Sequence, residues 1–260
     1  MRFAPIHLLR LMRVGFVLAR EGAFALVDPR EAPPGVGALV QLARLFEKRG
    51  ASSSAEGLVA ALTRLGPSYI KLGQFMATRP DVVGVRVARD LEKLQDRIPP
   101  FGRAAAVKEI EESFGKPLDA LYSEFSEPIA AASIAQVHRA RTLSGETVAV
   151  KVLRPGVRTR FRRDLAAMAY AAGVMEEFSA EARRLKFVDV VETLKRSVTM
   201  EMDLRLEAAA LSEMAENARD DAEFHVPSIN WDLTARDVVT MEWIDGIPLH
   251  DIDQIAAQGH

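Results

Sequence analysis

The chain has 260 residues, 48% hydrophobic and 27% charged, an ordinary globular balance with length for two modest domains. It has no cysteine, which excludes disulfides and thiolate metal sites, and a formal net charge of -2, which gives no case for bulk nucleic-acid binding. No uncharged apolar run is long enough to cross a bilayer, so no transmembrane helix is expected.

Residues 1–30 carry Arg2, Arg10, Arg13, Arg20 and Arg30 against only Glu21 and Asp28. Ile6, Leu8, Leu9, Leu11, Met12, Val14, Phe16, Val17 and Leu18 lie between them. This pattern fits an interfacial helix, an Arg-rich presequence, or a surface helix packed on the body of the protein. A secretory signal is not expected, because arginines interrupt the apolar region and no small-residue cleavage site follows. Asp28 to Gly37 is a break dense in Pro and Gly. Leu39 to Arg49 reads as a helix, Ser52 to Ser54 can cap the next, and that helix carries Leu58, Leu62 and Leu65. From Leu65 to Asp81, Pro67 suits a helix start and Pro80 a stop. Lys71 and Gln74 share a face there, and Gly73 allows another backbone to come close. Asp90 to Gln95 and Ala104 to Phe114 read as helices, the second ended by Gly115-Lys116-Pro117. No strand is expected before about Lys116.

The texture then changes. Leu121 to Phe125 leads into the run Ile129 to Arg141, Leu143-Ser144-Gly145 is a hairpin turn, and Glu146 to Leu153 alternates as a half-buried strand. Lys151 stands in that strand among valines, where an ammonium must reach water or meet a carboxylate. Strand, small-residue turn, strand, tight turn and lysine strand is the order of a kinase N-lobe, whose strand lysine holds the α- and β-phosphates of ATP. The expected phosphate-covering turn is rich in glycine; here it is rich in alanine, which resists positive φ. His138 is read as structural, since no second ligand stands at metal spacing. Arg158 to Phe178 is a long helix; its cluster Arg158, Arg160, Arg162 and Arg163 is read as a solvated face that could contact anionic groups. Phe187 to Asn217 reads as one helix with Val188, Val191, Leu194, Val198, Met202, Leu206 and Ala209 on its apolar face. It also carries Glu201, Asp203 and Glu207, of which Glu207 is the candidate partner of Lys151. His225 to Ile229 and Asp237 to Ile244 complete five strands.

On these residues the chain resembles the UbiB family of atypical kinases, the ADCK/coenzyme-Q group. Lys71-Leu72-Gly73-Gln74 resembles the family's KxGQ motif, and Glu201-Met202-Asp203 its ExD motif. Ile129, Ala130, Ala131, Ala132, Ser133, Ile134, Ala135, Gln136 and Val137 resemble its alanine-rich nucleotide turn. Val148 to Lys151 resembles the strand-three lysine, Glu207 its partner, and Glu242 to Ile244 the hinge whose backbone meets adenine. The resemblance implies an α+β fold: a helical extension over residues 1–117, a kinase-like N-lobe with a five-stranded antiparallel sheet over 118–246, and the start of a C-lobe over 247–260. It implies ATP or ADP as ligand, Mg2+ in the complete fold, membrane association and a role in ubiquinone biosynthesis. It implies that Lys71 and Gln74 approach the pocket and meet the ExD acids. The C-lobe, with its His-Asp catalytic loop and Asp-Phe-Gly, does not follow the hinge, so no catalytic residue is assigned and the chain is expected to be a truncated, inactive product. Two rivals stand beside a UbiB-type ATPase or kinase. One is a non-catalytic scaffold for quinone-pathway enzymes or the membrane surface; the other, an aminoglycoside-phosphotransferase-like enzyme, is opposed by the KxGQ helix. The expected location is the cytoplasmic side of a bacterial inner membrane, bound peripherally, with the mitochondrial matrix as the alternative.

Overall fold

Helix-period apolar patterning gives way to alternation near residue 121, and the computed structural model, which describes residues 5–26, 36–48, 55–92, 94, 98–221, 223–247 and 252–257, follows that change. The helices before the change are α1 (Pro5–Arg20), α2 (Val36–Arg44), α3 (Ala55–Leu65), α4 (Pro67–Ala77), α5 (Pro80–Val83), α6 (Val85–Leu91) and α7 (Arg103–Phe114). Proline stands at the first position of α4 and of α5, where its missing N–H costs nothing. Gly115 closes α7 in the left-handed conformation. The helix expected from Asp90 instead begins at Val85 and ends at Leu91. The expected break at Asp28 to Gly37 and the Ser52 to Ser54 cap fall mostly or wholly outside the described residues.

Four strands follow in one sheet: β1 (Tyr122–Ala131), β2 (Ala135–Thr142), β3 (Thr147–Leu153) and β4 (Val238–Glu242), in the order β1-β2-β3-β4. β3 and β4 run antiparallel, with Val148 opposite Glu242 and Lys151 opposite Val239. The turn between β2 and β3 closes through Gly145 N–H to Thr142 O at 3.0 Å, with Gly145 at φ 92°. The fourth expected strand, His225 to Ile229, is only a bridge between Ile229 and Met241. Pro227 offers no N–H for a ladder, and the Glu242 carboxylate, not a carbonyl, takes one bond from Ser228 N–H.

After β3 come α8 (Val157–Phe178), α9 (Ala180–Leu185), α10 (Phe187–Glu201) and α11 (Leu204–Asn217), with α12 (Ile252–Ala257) beyond β4. The single helix expected over 187–217 is therefore two. Asp203 is extended (φ −110°, ψ 95°) and caps α11 by accepting from Arg205 N–H. The interruption resets the helical phase: Leu204 and Ala208 are fully buried, whereas Leu206, expected on the apolar face, is 52% exposed.

The chain divides into two compact units. The first comprises Met1–Pro100, Ala131–Ala135 and Arg154–Met202, and α8 packs there on α1, α4 and α10. In this unit Gly73 is a packing requirement: a Cβ would stand 2.2 Å from Leu94 Cδ1 and 2.8 Å from Leu62 Cδ1. The close approach expected at Gly73 is thus made by leucine side chains, not by another backbone. The second unit comprises Phe101–Ala130, Gln136–Leu153 and Asp203–His260. Its core joins Val148, Val150 and Val152 to Ala106 and Ile110 of α7, with Tyr122, Ala140 and Val238. Burying alternate valines on one face leaves Lys151 on the other.

Candidate functional site

The lysine strand is fixed from three sides of its own unit. Its valines are buried, β4 pairs with it, and Leu153 N–H donates to Asp237 O at 2.9 Å. This holds the backbone of Lys151 while its side chain stays 26% exposed. α11 supplies the counter-charge. Leu204 and Ala208 bury one face of that helix, and Glu207, in its first turn, meets the ammonium. Lys151 Nζ donates to both Glu207 oxygens at 2.7 Å. A two-point contact fixes the ammonium in direction as well as distance. The helix dipole further favours a carboxylate at that position.

The alanine-rich run divides by burial. Ile129 and Ala130 are exposed, Ala131, Ala132 and Val137 are half-buried, and Ser133, Ile134, Ala135 and Gln136 are buried. Ala130 and Ala131 finish β1, so the turn proper is Ala132-Ser133-Ile134. No residue of the run has positive φ, as alanine requires. Ala132 N–H donates to Ala135 O at 2.8 Å, and the buried Ser133 hydroxyl makes no hydrogen bond among the described residues. Arg154, which the sequence reading passed over, ties the turn down. Its N–H donates to Ile134 O at 2.7 Å, and its Nη2 donates to Pro99 O at 3.1 Å and Ala132 O at 3.4 Å. Its place directly after the lysine strand and before Pro155-Gly156 was the available signal.

Gln136 is spent inside the fold. Its Nε2 donates to Phe101 O at 3.1 Å, and its Oε1 accepts from Phe101 N–H at 2.9 Å. Nε2 also lies 2.8 Å from His138 Nε2, and His138 Nδ1 lies 2.9 Å from Ser126 O. These partners assign a neutral imidazole with its proton on Nδ1. Burial holds the His138 pKa below its usual value, which agrees. The structural reading of His138 fits this buried network.

Of the four KxGQ and ExD residues, Lys71 and Glu201 come together as expected, while Gln74 and Asp203 have other partners. Lys71 Nζ lies 2.8 Å from Glu201 Oε2, both in the first unit. Gln74 Nε2 donates to Leu94 O at 3.3 Å. Asp203 pairs with Arg205 at 2.7 Å, and that guanidinium holds its carboxyl below the usual range. Met202 O, between the two acids, accepts from Arg158 Nη2. At the end of β4, Glu242 N–H donates to Ser228 O, and its carboxylate takes bonds from Ser228 and His225. These bonds, the Ser228 N–H foremost, hold the Glu242 pKa down. Trp243 lies under the Arg139 guanidinium at 5.2 Å, and Ile244 is exposed.

The model of the ABC1 atypical kinase-like domain matches residues 93–260. The chain belongs to the ABC1 atypical kinase-like family. It is 38% identical over 256 residues to a protein of Marinobacter nauticus named "Probable protein kinase UbiB", covering 97% of this chain and 47% of that one. A protein of the same name from Azotobacter vinelandii is 39% identical, covering 96% of this chain and 48% of the relative. A solved complex of Rv3197 with erythromycin from Mycobacterium tuberculosis aligns with a TM-score of 0.53 at 34% identity, over 71% of this chain and 45% of that one. The chain thus spans about half the length of the curated relatives it matches. The UbiB resemblance and the kinase-like α+β fold are borne out, with four strands where five were expected.

Proposed function

We propose that this chain contributes the nucleotide-binding half of a UbiB-type ATPase or small-molecule kinase that supports ubiquinone biosynthesis. The observation that carries the reading is the two-point clamp of Lys151 by Glu207, with the lysine side chain partly open to solvent. A structural ion pair would serve as well buried or on an edge; this one stands on the open face of a strand whose other face is core. In the proposal Lys151 meets the α- and β-phosphates of ATP or ADP, and Glu207 keeps it aimed. Ile129 to Val137 covers the phosphates, with Gln136 holding the turn from inside. Adenine meets the backbone after Glu242, whose own N–H is engaged, so Trp243 and Ile244 carry that contact. Lys71, Gln74, Glu201 and Asp203 form the family's regulatory set in this reading. ATP supplies the transferable phosphoryl group. Mg2+ belongs to the complete kinase fold, and these 260 residues contain no Asp-Phe-Gly to hold it. Titration with ADP, following the protein's fluorescence or heat, tests the reading: the wild type binds, and Lys151→Met binds at least about tenfold more weakly. Equal affinity would refute it.

A second reading, a non-catalytic scaffold at the membrane surface, has its own observation. No described helix is long and apolar enough to cross a membrane. Yet Leu8, Leu9, Met12 and Phe16 of α1 are exposed, and Phe46 packs edge-on to Phe16 beside the exposed Leu42 and Leu45. Such a face suits peripheral binding to the cytoplasmic side of a bacterial inner membrane. Vesicle co-sedimentation of Leu9→Asp and Met12→Asp variants discriminates. Vesicle binding lost in the variants, without any ADP binding in the wild type, favours the scaffold.

A further inference from the structure

A second concentration of charge lies wholly within the first unit and plays no part in the Lys151 reading. α1, α4 and the start of α8 surround a cavity of about 650 Å³, whose charged and polar walls are Arg10, Arg13, Arg160, Arg163, Asp164 and Tyr69. Arg10 and Arg13 are three apart on α1, and Arg160 and Arg163 are three apart on α8. Each pair therefore shares a helix face. The fold brings together two basic pairs about half the chain apart in sequence and leaves them one carboxylate.

Their existing partners are mostly uncharged. Arg10 Nη1 donates to Arg163 O at 2.9 Å, and Arg160 Nη2 donates to Leu65 O at 2.7 Å. Arg160 Nε stands 3.9 Å from Asp164, at the limit of an ion pair. The guanidiniums of Arg13 and Arg163 have no hydrogen bond and no carboxylate partner among the described residues. Like charges facing a shared cavity repel unless an anion sits among them. The same cavity receives the start of α8, a 22-residue helix with no side-chain cap and no acidic residue in its first turn. Gly156, left-handed at φ 69°, and Thr159 line the wall there. Tyr69 adds a phenol, a donor at physiological pH, whose pKa burial pushes up to about 12. A solvated basic face would scatter its charges outward. Here they converge with a hydroxyl and the positive end of a long helix.

We propose that this cavity binds a phosphate ester, held by Arg10, Arg13, Arg160 and Arg163 against the start of α8. A soluble phosphate monoester and a phospholipid headgroup share the chemistry that such a site recognises.

The full chain is used for the test, at about 150 mM salt to suppress diffuse attraction. Calorimetric titration with inorganic phosphate and with glycerol 3-phosphate reads the soluble source. Flotation with phosphatidylcholine vesicles, with and without phosphatidic acid, reads the lipid source. Arg13→Gln/Arg163→Gln removes two exposed guanidiniums without a hydrogen-bond or carboxylate partner among the described residues, and Arg86→Gln/Arg162→Gln removes the same charge from exposed positions outside the cavity. The expected result is a loss of at least about tenfold in one arm for the first pair, and little change for the second. Should the first pair fail to fold, Arg13→Gln alone is the reporter. Repeating the titration in Lys151→Met removes any contribution from the proposed nucleotide site: the effect persists if the cavity is the binder. Cavity-dependent binding of glycerol 3-phosphate assigns a soluble ester, and cavity-dependent flotation alone assigns a headgroup. Absence of binding in both arms, or equal loss in the two charge-matched pairs, overturns the proposal.

Discussion

Two lysine–glutamate pairs, one in each compact unit, look alike in distance and differ in what surrounds the acid. Lys151 meets Glu207 at 2.7 Å, and Lys71 meets Glu201 at 2.8 Å. Glu207 stands in the first turn of α11, where the helix dipole favours a negative charge. Glu201 is the last residue of α10, where the dipole opposes one. The helix end thus adds to the attraction at Glu207, whereas at Glu201 it works against the pair. In the proposed reading the first pair leaves its lysine available to phosphate; the second joins α4 to α10.

That contrast predicts a crossed result. Lys151→Met lowers ADP affinity at least about tenfold while leaving thermal stability nearly unchanged, measured by titration and calorimetry on one preparation. Its failure to separate the two readouts would break the contrast. Next in size, Gly73→Ala drives a methyl group into Leu62 and Leu94 beside Lys71, and is expected to cost about 1–3 kcal/mol by urea unfolding. Lys71→Met is expected to cost up to about 1 kcal/mol, because it leaves Glu201 at the negative end of α10, and Glu201→Gln in the same background restores part of it. Asp203→Ala removes the cap of α11 and costs about 1 kcal/mol. The Asp203 pKa is lowered, so its contribution is full above the ordinary aspartate range and fades as pH falls through the lowered value.

The same linkage applies to His138 with a histidine's charge. Its folded pKa lies below the ordinary value near ~6.5, so the unfolded chain takes up the proton first and stability falls as pH drops below that value. Imidazole 15N shifts should report a neutral Nδ1–H ring at pH 7, and His138→Gln should flatten the pH dependence of the melting temperature in that window.

Much of this was legible in sequence wherever one residue type had one use. Alternating valines around a lysine specify both the strand and the side on which the ammonium emerges. Pro67, Gly115 and Gly145 mark boundaries that the structure places at the same residues. The misreadings arose where a side chain competed with the backbone. Asp203 reads as one more helical acid, and only its bond to Arg205 N–H shows that it caps the start of a second helix with a new phase. Pro227, inside the fourth expected strand, already argues against ladder pairing there. Gln136, taken as a residue facing nucleotide, is bound to Phe101 and His138, because a carboxamide's four bonding positions match a buried backbone pair as well as a ligand. The arginines on α8 read as a solvated face that could contact anionic groups, and periodicity within one helix says nothing of the basic residues on α1 packed beside it.

The most direct test uses an acyl-phosphate derivative of ATP, which transfers its acyl group to an amine lying at the phosphates, with the modified residue mapped by mass spectrometry. The account predicts acylation concentrated at Lys151, abolished by excess ATP and retained in Arg13→Gln/Arg163→Gln. Acylation spread over exposed lysines such as Lys108 and Lys195, with Lys151 unlabelled or unprotected by ATP, would contradict it.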